Sequence, residues 1–380
     1  MSITINKQRL ADYFTTLCET SSPSREEKQV AAYLRQTFAA LDADFIHVDD
    51  SAATTESDTG NLIVRFTGST QAPPIFFACH MDTVNPGHNV QVKRDGDIFT
   101  SKGETVLGGD DKSGIAPLIE LVTLLKENKT THRTIELVFT TCEEIGLLGA
   151  KSLDYRQLKA TFGYALDSTG IDKIIVAAPA ANKIRIDIHG TASHAGLNPE
   201  AGVNALLIAA HAITKLRIGR VDDESTANIG VIEGGVATNI VPEHLYLKGE
   251  VRSHSMAKLD DYTEEMRRHF VDTAADWPIP PESGARRPTV TFTVESDYPA
   301  MRLDETDQVL ETARAAARKL ERPLSFVIGG GGSDANIFNS FGLATAILAT
   351  GMDEVHTTDE CLDLNDMVKL TELLYAIVTE

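Results

Sequence analysis

Short runs of consecutive apolar residues recur through the first half of the chain and again near its end. Residues 62–66 (Leu-Ile-Val-Arg-Phe), 75–79 (Ile-Phe-Phe-Ala-Cys), 134–139 (Thr-Ile-Glu-Leu-Val-Phe) and 162–166 (Phe-Gly-Tyr-Ala-Leu) are too short for core helices. They lack the alternation of a half-exposed sheet and so read as strands buried on both faces. Between them, apolar positions fall three and four apart. Val30, Tyr33, Leu34 and Phe38 predict a helix capped by Ser24, with Glu27 completing a capping box. Residues 115–126 predict another helix. A helix over 307–320 and strands over 325–328 and 344–348 follow later. Buried strands alternating with helices predict an α/β domain: an open mixed sheet flanked by helices.

The texture changes near residue 180. Lys183-Ile184-Arg185-Ile186-Asp187-Ile188-His189 alternates with period two, as a strand with one wet face should. Helices over 203–216 and 256–277 and strands over 226–232, 244–251 and 288–295 complete the order β-α-β-β-α-β. That order predicts a ferredoxin-like α+β domain inserted into the first. The expected division is 1–179 with 298–380 for the α/β domain and 180–297 for the insert.

Composition narrows the function. A length of 380 residues suits two domains, and a formal net charge of -20 argues against nucleic acid or an anionic membrane as partner. No apolar run approaches membrane-spanning length, and the first residues lack the apolar core of a signal peptide. Cys18, Cys79, Cys142 and Cys361 form no CxxC pair, so neither a zinc knuckle nor a redox motif is indicated. A cytoplasmic protein is expected.

The chemistry-bearing residues gather where strands should end. Glu143-Glu144 closes the 134–139 run, His80 and Asp82 close 75–79, and Asp167 closes 162–166, while Asp110 opens a helix and His356 follows 344–348. Each alone has an ordinary explanation: an acidic turn, a helix cap, a loop histidine. Together they place two histidines and several carboxylates on the side of an open sheet where ligands collect. Imidazole nitrogen and carboxylate oxygen suit borderline divalent cations, and one carboxylate can bridge two.

His80-Met81-Asp82, Gly109-Asp110-Asp111-Lys112-Ser113-Gly114, Glu143-Glu144-Ile145-Gly146, Asp167, Ser193-His194-Ala195-Gly196 and the stretch from Gly351 through His356 to Glu360 occur in this order. With them the chain resembles the M20 co-catalytic metallopeptidases, and most closely their peptidase T-like, tripeptide aminopeptidase branch. The resemblance extends over nearly the whole chain. It implies a zinc exopeptidase-like fold with an inserted lid and dimerisation domain, and two divalent ions, zinc first, with cobalt or manganese as alternatives. His80 and Asp167 would hold one ion, Glu144 and His356 the other, and Asp110 would bridge them. Asp82 would orient His80, and Glu143 would serve as general base. His194 would stabilise the oxyanion in the partner's site of a homodimer formed through the insert. Asn239 and Arg252 would bind a substrate carboxylate, a task that suits a guanidinium. Within the family an aspartate at the Asp167 position goes with peptidases and a glutamate with deacylases and some carboxypeptidases. The expected activity is hydrolysis of short peptides. The alternatives are an M20-type amidohydrolase, deacylase or carboxypeptidase acting on N-acyl amino acids, and a non-catalytic binding protein on the same fold.

Overall fold

The computed structural model describes residues 3–380 and divides into two compact units. The first runs to Ala177 and resumes over Arg302–Gly329 and Ser333–Glu380; the second comprises Ala178–Met301 with Gly330–Gly332.

The first unit is built on a nine-stranded mixed sheet. Its centre is parallel: Ile75–His80 pairs with Ile135–Thr140 on one side and Phe162–Ala165 on the other, and Ala344–Leu348 joins Phe162–Ala165. Leu62–Phe66 and Phe45–Val48 extend one side antiparallel, and Lys173–Ala178, Met301–Arg302 and Ser325–Ile328 complete the other. The central strands are buried along their whole length, which is why their sequences run apolar without alternating. Helices Lys7–Glu19, Gly109–Glu127 and Leu364–Val378 pack together, and with the sheet they enclose a core that includes Leu10, Phe14, Phe77, Ile115, Leu118, Phe139 and Leu374. Each such side chain contributes about 1.5–3 kcal/mol on burial. The consequence for function is geometric. Four parallel strands deliver His80, Thr140, Ala165 and Leu348 to one edge of the sheet.

Two local expectations are corrected. The helix after Ser24 begins only at Lys28, with Glu27 as its cap residue making no side-chain capping bond. Ser24 Oγ instead donates to Asp82 Oδ2 at 2.6 Å, and Glu27 accepts from Cys142 N at 2.9 Å and Ser57 Oγ at 2.5 Å. Distant buried partners win both groups from the local capping pattern. The helix expected over 115–126 spans Gly109–Glu127, with non-helical backbone at Asp110 and Asp111. Its first turn is bent away from regular hydrogen bonding where the carboxylates are displayed.

A small four-stranded sheet also belongs to this unit, and its strands Met352–Asp353 and Cys361–Asp363 pair antiparallel on either side of His356.

The second unit is an antiparallel sheet in the order Gly219–Asp222, Ser225–Gly234, His244–Ser253, Ala180–His189, Thr289–Tyr298. Helices Ala205–Ile213 and Met256–Ala275 cover one face, the second packing Phe270 into a core with Ile184, Ile186, Ile188, Leu247 and Val251. Without its edge strand this is the predicted ferredoxin-like arrangement. Gly219–Asp222 is additional, too short for its period to show. The first helix is shorter than 203–216, because Asn204 caps it by accepting from Leu206 N and Leu207 N.

Candidate active site

His80 is the last residue of its strand, and only 3% of it is exposed. Its Nδ1 donates to the Asp82 carbonyl at 3.0 Å, leaving Nε2 bare and 3.0 Å from Asp110 Oδ1. Two acceptors at that distance need a proton or a cation between them. The other oxygen of Asp110, Oδ2, lies 3.1 Å from His356 Nε2, and Glu144 Oε1 lies 3.2 Å from the same nitrogen. One carboxylate therefore faces two histidines, one through each oxygen. His80, Asp110 and Glu144 present ligand atoms all within 4.8 Å of one another.

Asp167 and Glu143 join this group. Both line one small cleft with His80, Asp111 and Asp334. Burial, together with the charge of Asp110, pushes the Asp167 carboxyl well above the ordinary range. Burial does the same to Glu143 against the opposing influence of His80, with Asp167, Asp334 and Glu144 adding to the rise. Burial also lifts Asp334 to about 6. His356 moves the same way for a different reason: its hydrogen bond with Asp110 and the nearby negative charge of Glu144 push the imidazole up to about 10. Burial opposes protonation of His80, yet Asp110 and Asp82 outweigh it and raise that imidazole too. Every carboxylate here seeks positive charge, and each histidine is pressed to supply it.

The residues fit a pair of divalent cations. Glu144 Oε1, Asp111 Oδ1 and Asp334 Oδ1 are buried without a hydrogen-bond partner; Glu144 Oε1 comes near His356 only at an angle unsuited to bonding. Unsatisfied buried carboxylate oxygens are costly. The donor set of imidazole and carboxylate is that of zinc and its neighbours. His80, Asp110, Glu144, Asp167 and His356 are the residues available to hold them.

The supports come from further along the chain. Asp82 Oδ1 accepts from Glu143 N at 2.9 Å and Oδ2 accepts from Glu144 N at 3.2 Å. The Asp82 carboxylate thus ties down the backbone of both glutamates, while its own carbonyl, rather than its side chain, makes the closer contact to His80; Asp82 Oδ1 is 3.5 Å from Nδ1. Glu360 accepts from Gly108 N at 2.8 Å and Asp110 N at 2.9 Å, fixing the bent helix start. The buried Lys112 ammonium bonds to Thr83 Oγ1. Gly114 must be glycine, because a Cβ there would stand 2.7 Å from Asp111 Oδ1 and 2.8 Å from Leu166 O. His356 has a φ of +63°, a left-handed conformation of the kind that costs of order 1–3 kcal/mol. Thr357 Oγ1 secures that turn by donating to Glu354 O at 2.7 Å.

Sequence reasoning missed Ser24, Glu360 and Asp334 as parts of this centre. Ser24 was legible only as a cap. Asp334 opens a short helix capped by Ser333, and its Oδ2 accepts from Thr140 Oγ1 at 2.5 Å.

In the second unit, His194 is exposed, and its Nδ1 accepts from Gly196 N at 3.1 Å, so the ring proton sits on the outward Nε2. Ala195 N donates to Asn239 O at 2.9 Å, which joins the His194 and Asn239 loops. Arg252 bonds Glu250 Oε2 at 3.0 Å through one terminal nitrogen and keeps Nε buried without a partner.

Comparison with known proteins agrees with this chemistry. Residues 76–380 match Peptidase family M20/M25/M40. The chain is 39% identical over 377 residues to the uncharacterized protein YqjE of Bacillus subtilis, covering 99% of each. It is also similar to the crystal structure of aminopeptidase PepT from Bacillus cereus, with 39% identity, a TM-score of 0.87, and 99% of this chain and 98% of that one covered. A tripeptidase from Staphylococcus aureus superposes with a TM-score of 0.91 at 35% identity, covering 99% of this chain and 98% of that one.

Proposed function

The chain belongs to Peptidase family M20/M25/M40 and is a metal-dependent hydrolase, and from that premise we propose that it is a two-metal aminopeptidase of short peptides. The observation that carries the reading is Asp110, whose two carboxylate oxygens face His80 at 3.0 Å and His356 at 3.1 Å. Asp167 completes the His80 side and Glu144 the His356 side. These residues would hold a pair of divalent cations, zinc in the first instance, which when bound would supply Lewis-acid charge and lower the pKa of water at the site. Glu143 takes the proton of the attacking water and passes it to the leaving amine. Asp82 holds the backbone of Glu143 and Glu144 and the ring of His80 in register. His194 offers an outward Nε2–H to the developing oxyanion. Arg252 and Asn239 receive the carboxylate of a short substrate, a fork the unpartnered Nε of Arg252 can complete. Exposed Leu206 and Leu207 on the inserted domain support a homodimer formed through it, which sedimentation checks; a strict monomer removes that part of the proposal. Four free cysteines support a reducing, cytoplasmic setting, which cell fractionation tests.

The deciding experiment is a panel of free and N-blocked di- and tripeptides and N-acyl amino acids, scored with Zn²⁺, Co²⁺ or Mn²⁺ added. Free tripeptides should be cut and N-blocked ones spared. Turnover of N-acyl amino acids with tripeptides left intact would replace this reading with a deacylase. In the same assay Glu143→Ala should lose on the order of 10²–10⁴-fold in rate while keeping its metal. His194→Ala should also lose turnover without losing metal; full activity in either variant removes the role assigned to it.

A further inference from the structure

The inserted domain carries a second group of metal-ligating side chains that the peptidase chemistry does not use. Asp187 and His189 lie two apart on the strand Ala180–His189 and therefore on one face of the sheet, and His244 stands directly across from His189 on the neighbouring strand. The sheet face they share is the one the two helices leave uncovered, since Ile186, Ile188 and Leu245 point into the core. Both histidines are exposed. Their rings lie 4.6 Å apart and nearly parallel, at 20°, and His244 Nε2 is 3.2 Å from Asp187 Oδ1. One ligand atom from each of the three residues falls within 4.8 Å of the other two.

We infer that Asp187, His189 and His244 form a divalent transition-metal site on the open face of the inserted sheet, sharing no residue with the catalytic centre and independent of the peptidase reading. Two imidazoles and one carboxylate select ions of the zinc, copper and nickel type over calcium or magnesium. Tetrahedral zinc wants its ligand atoms about 3.4 Å apart. The His244–Asp187 pair already stands near that spacing at 3.2 Å, and His189, whose ligand atom lies within 4.8 Å of both, would complete the set by rotation of its exposed side chain. The backbone has done the harder part, because the antiparallel register places the two histidines opposite one another. Arg185 Nε contacts the second oxygen of Asp187 at 3.3 Å, which steers Oδ1 toward the imidazoles. Three protein ligands leave an outward position for water or for a donor group of another molecule. The ion would clip the strands Ala180–His189 and His244–Ser253 together at one end.

The test uses the full-length protein and Zn²⁺ alone. After equilibrium dialysis the wild type should retain one more zinc ion per chain than the His189→Ala/His244→Ala double variant, with peptide turnover and melting of the metal-stripped proteins unchanged. Diethyl pyrocarbonate labelling with mass mapping gives a site-resolved readout. Zinc, but not magnesium, should protect His189 and His244 several-fold, while the exposed His211 stays reactive. Equal zinc contents in the two proteins, or unprotected His189 and His244, would show these side chains to be an ordinary cross-strand contact and overturn the site.

Discussion

Asp82 shows how much of the centre rests on groups that never reach the substrate. Its carboxylate accepts from Ser24 Oγ, Glu143 N and Glu144 N, and its carbonyl accepts from His80 Nδ1. In Asp82→Asn one oxygen becomes an NH₂ that confronts a donor, either the Glu143 N–H or the Ser24 and Glu144 pair. The glutamates then lose their register, and a fall of about 10–100-fold in zinc affinity or turnover is expected. Chelator competition and steady-state kinetics measure it; an unchanged zinc affinity together with an unchanged kcat would deny Asp82 the positioning role. At this scale the sequence was legible wherever a side chain sits at the end of a strand or the start of a helix within a recognisable motif, as His80, Glu144 and Asp110 do. It was opaque where a long-range partner outcompetes a local one. Ser24 reads as a cap because Ser-x-x-Glu is local, whereas Asp82 lies 58 residues away and no period points to it.

At the scale of elements, the buried strand Ile135–Thr140 carries a charge in its interior. Glu136 stands opposite Arg65 in the adjacent strand and meets its Nε at 2.6 Å, while its second oxygen accepts from Lys159 N and Ala160 N at 2.8 Å each. The pair therefore fastens two strands and the loop leading to Phe162–Ala165, whose far end presents Asp167. Glu136→Ala leaves a largely buried guanidinium without its partner and two amides without an acceptor. A loss of about 3–5 kcal/mol is expected in denaturant unfolding. Arg65→Met/Glu136→Leu removes both charges and should cost less than the single change, because no unpaired ion remains buried; a larger cost in the double variant would contradict this account. Strands with continuous apolar runs were legible because both faces are buried. The bend at Asp110 and Asp111 and the strand Gly219–Asp222 were not. The first is imposed by Glu360 from the far end of the chain, and the second is too short for its period to be read.

For the whole molecule, the change from apolar runs to period-two alternation was legible because the inserted sheet keeps one wet face while the central strands of the first sheet have none. The insert's terminal strands, Ala180–His189 and Thr289–Tyr298, are neighbours, with Ala181 opposite Tyr298, so the chain leaves and rejoins the first unit at closely spaced points. The insert also has its own apolar core, from Ile184 to Phe270. A fragment spanning 178–301 is well under the 150 residues within which single domains usually fold in one cooperative step. Expressed alone, it should melt cooperatively with mixed helix and strand signal; a gradual, featureless melt would mean it borrows its stability. The complementary protein, residues 1–177 joined by a short flexible linker to 302–380, separates binding from catalysis. All five proposed ligands, His80, Asp110, Glu144, Asp167 and His356, remain in it, together with Glu143 and Asp82. His194, Asn239 and Arg252 are gone. It should therefore keep its metal and lose peptide turnover to background. Retained turnover would show that the inserted residues do not take part in the reaction, whereas loss of metal along with turnover would show that the centre depends on the insert to form.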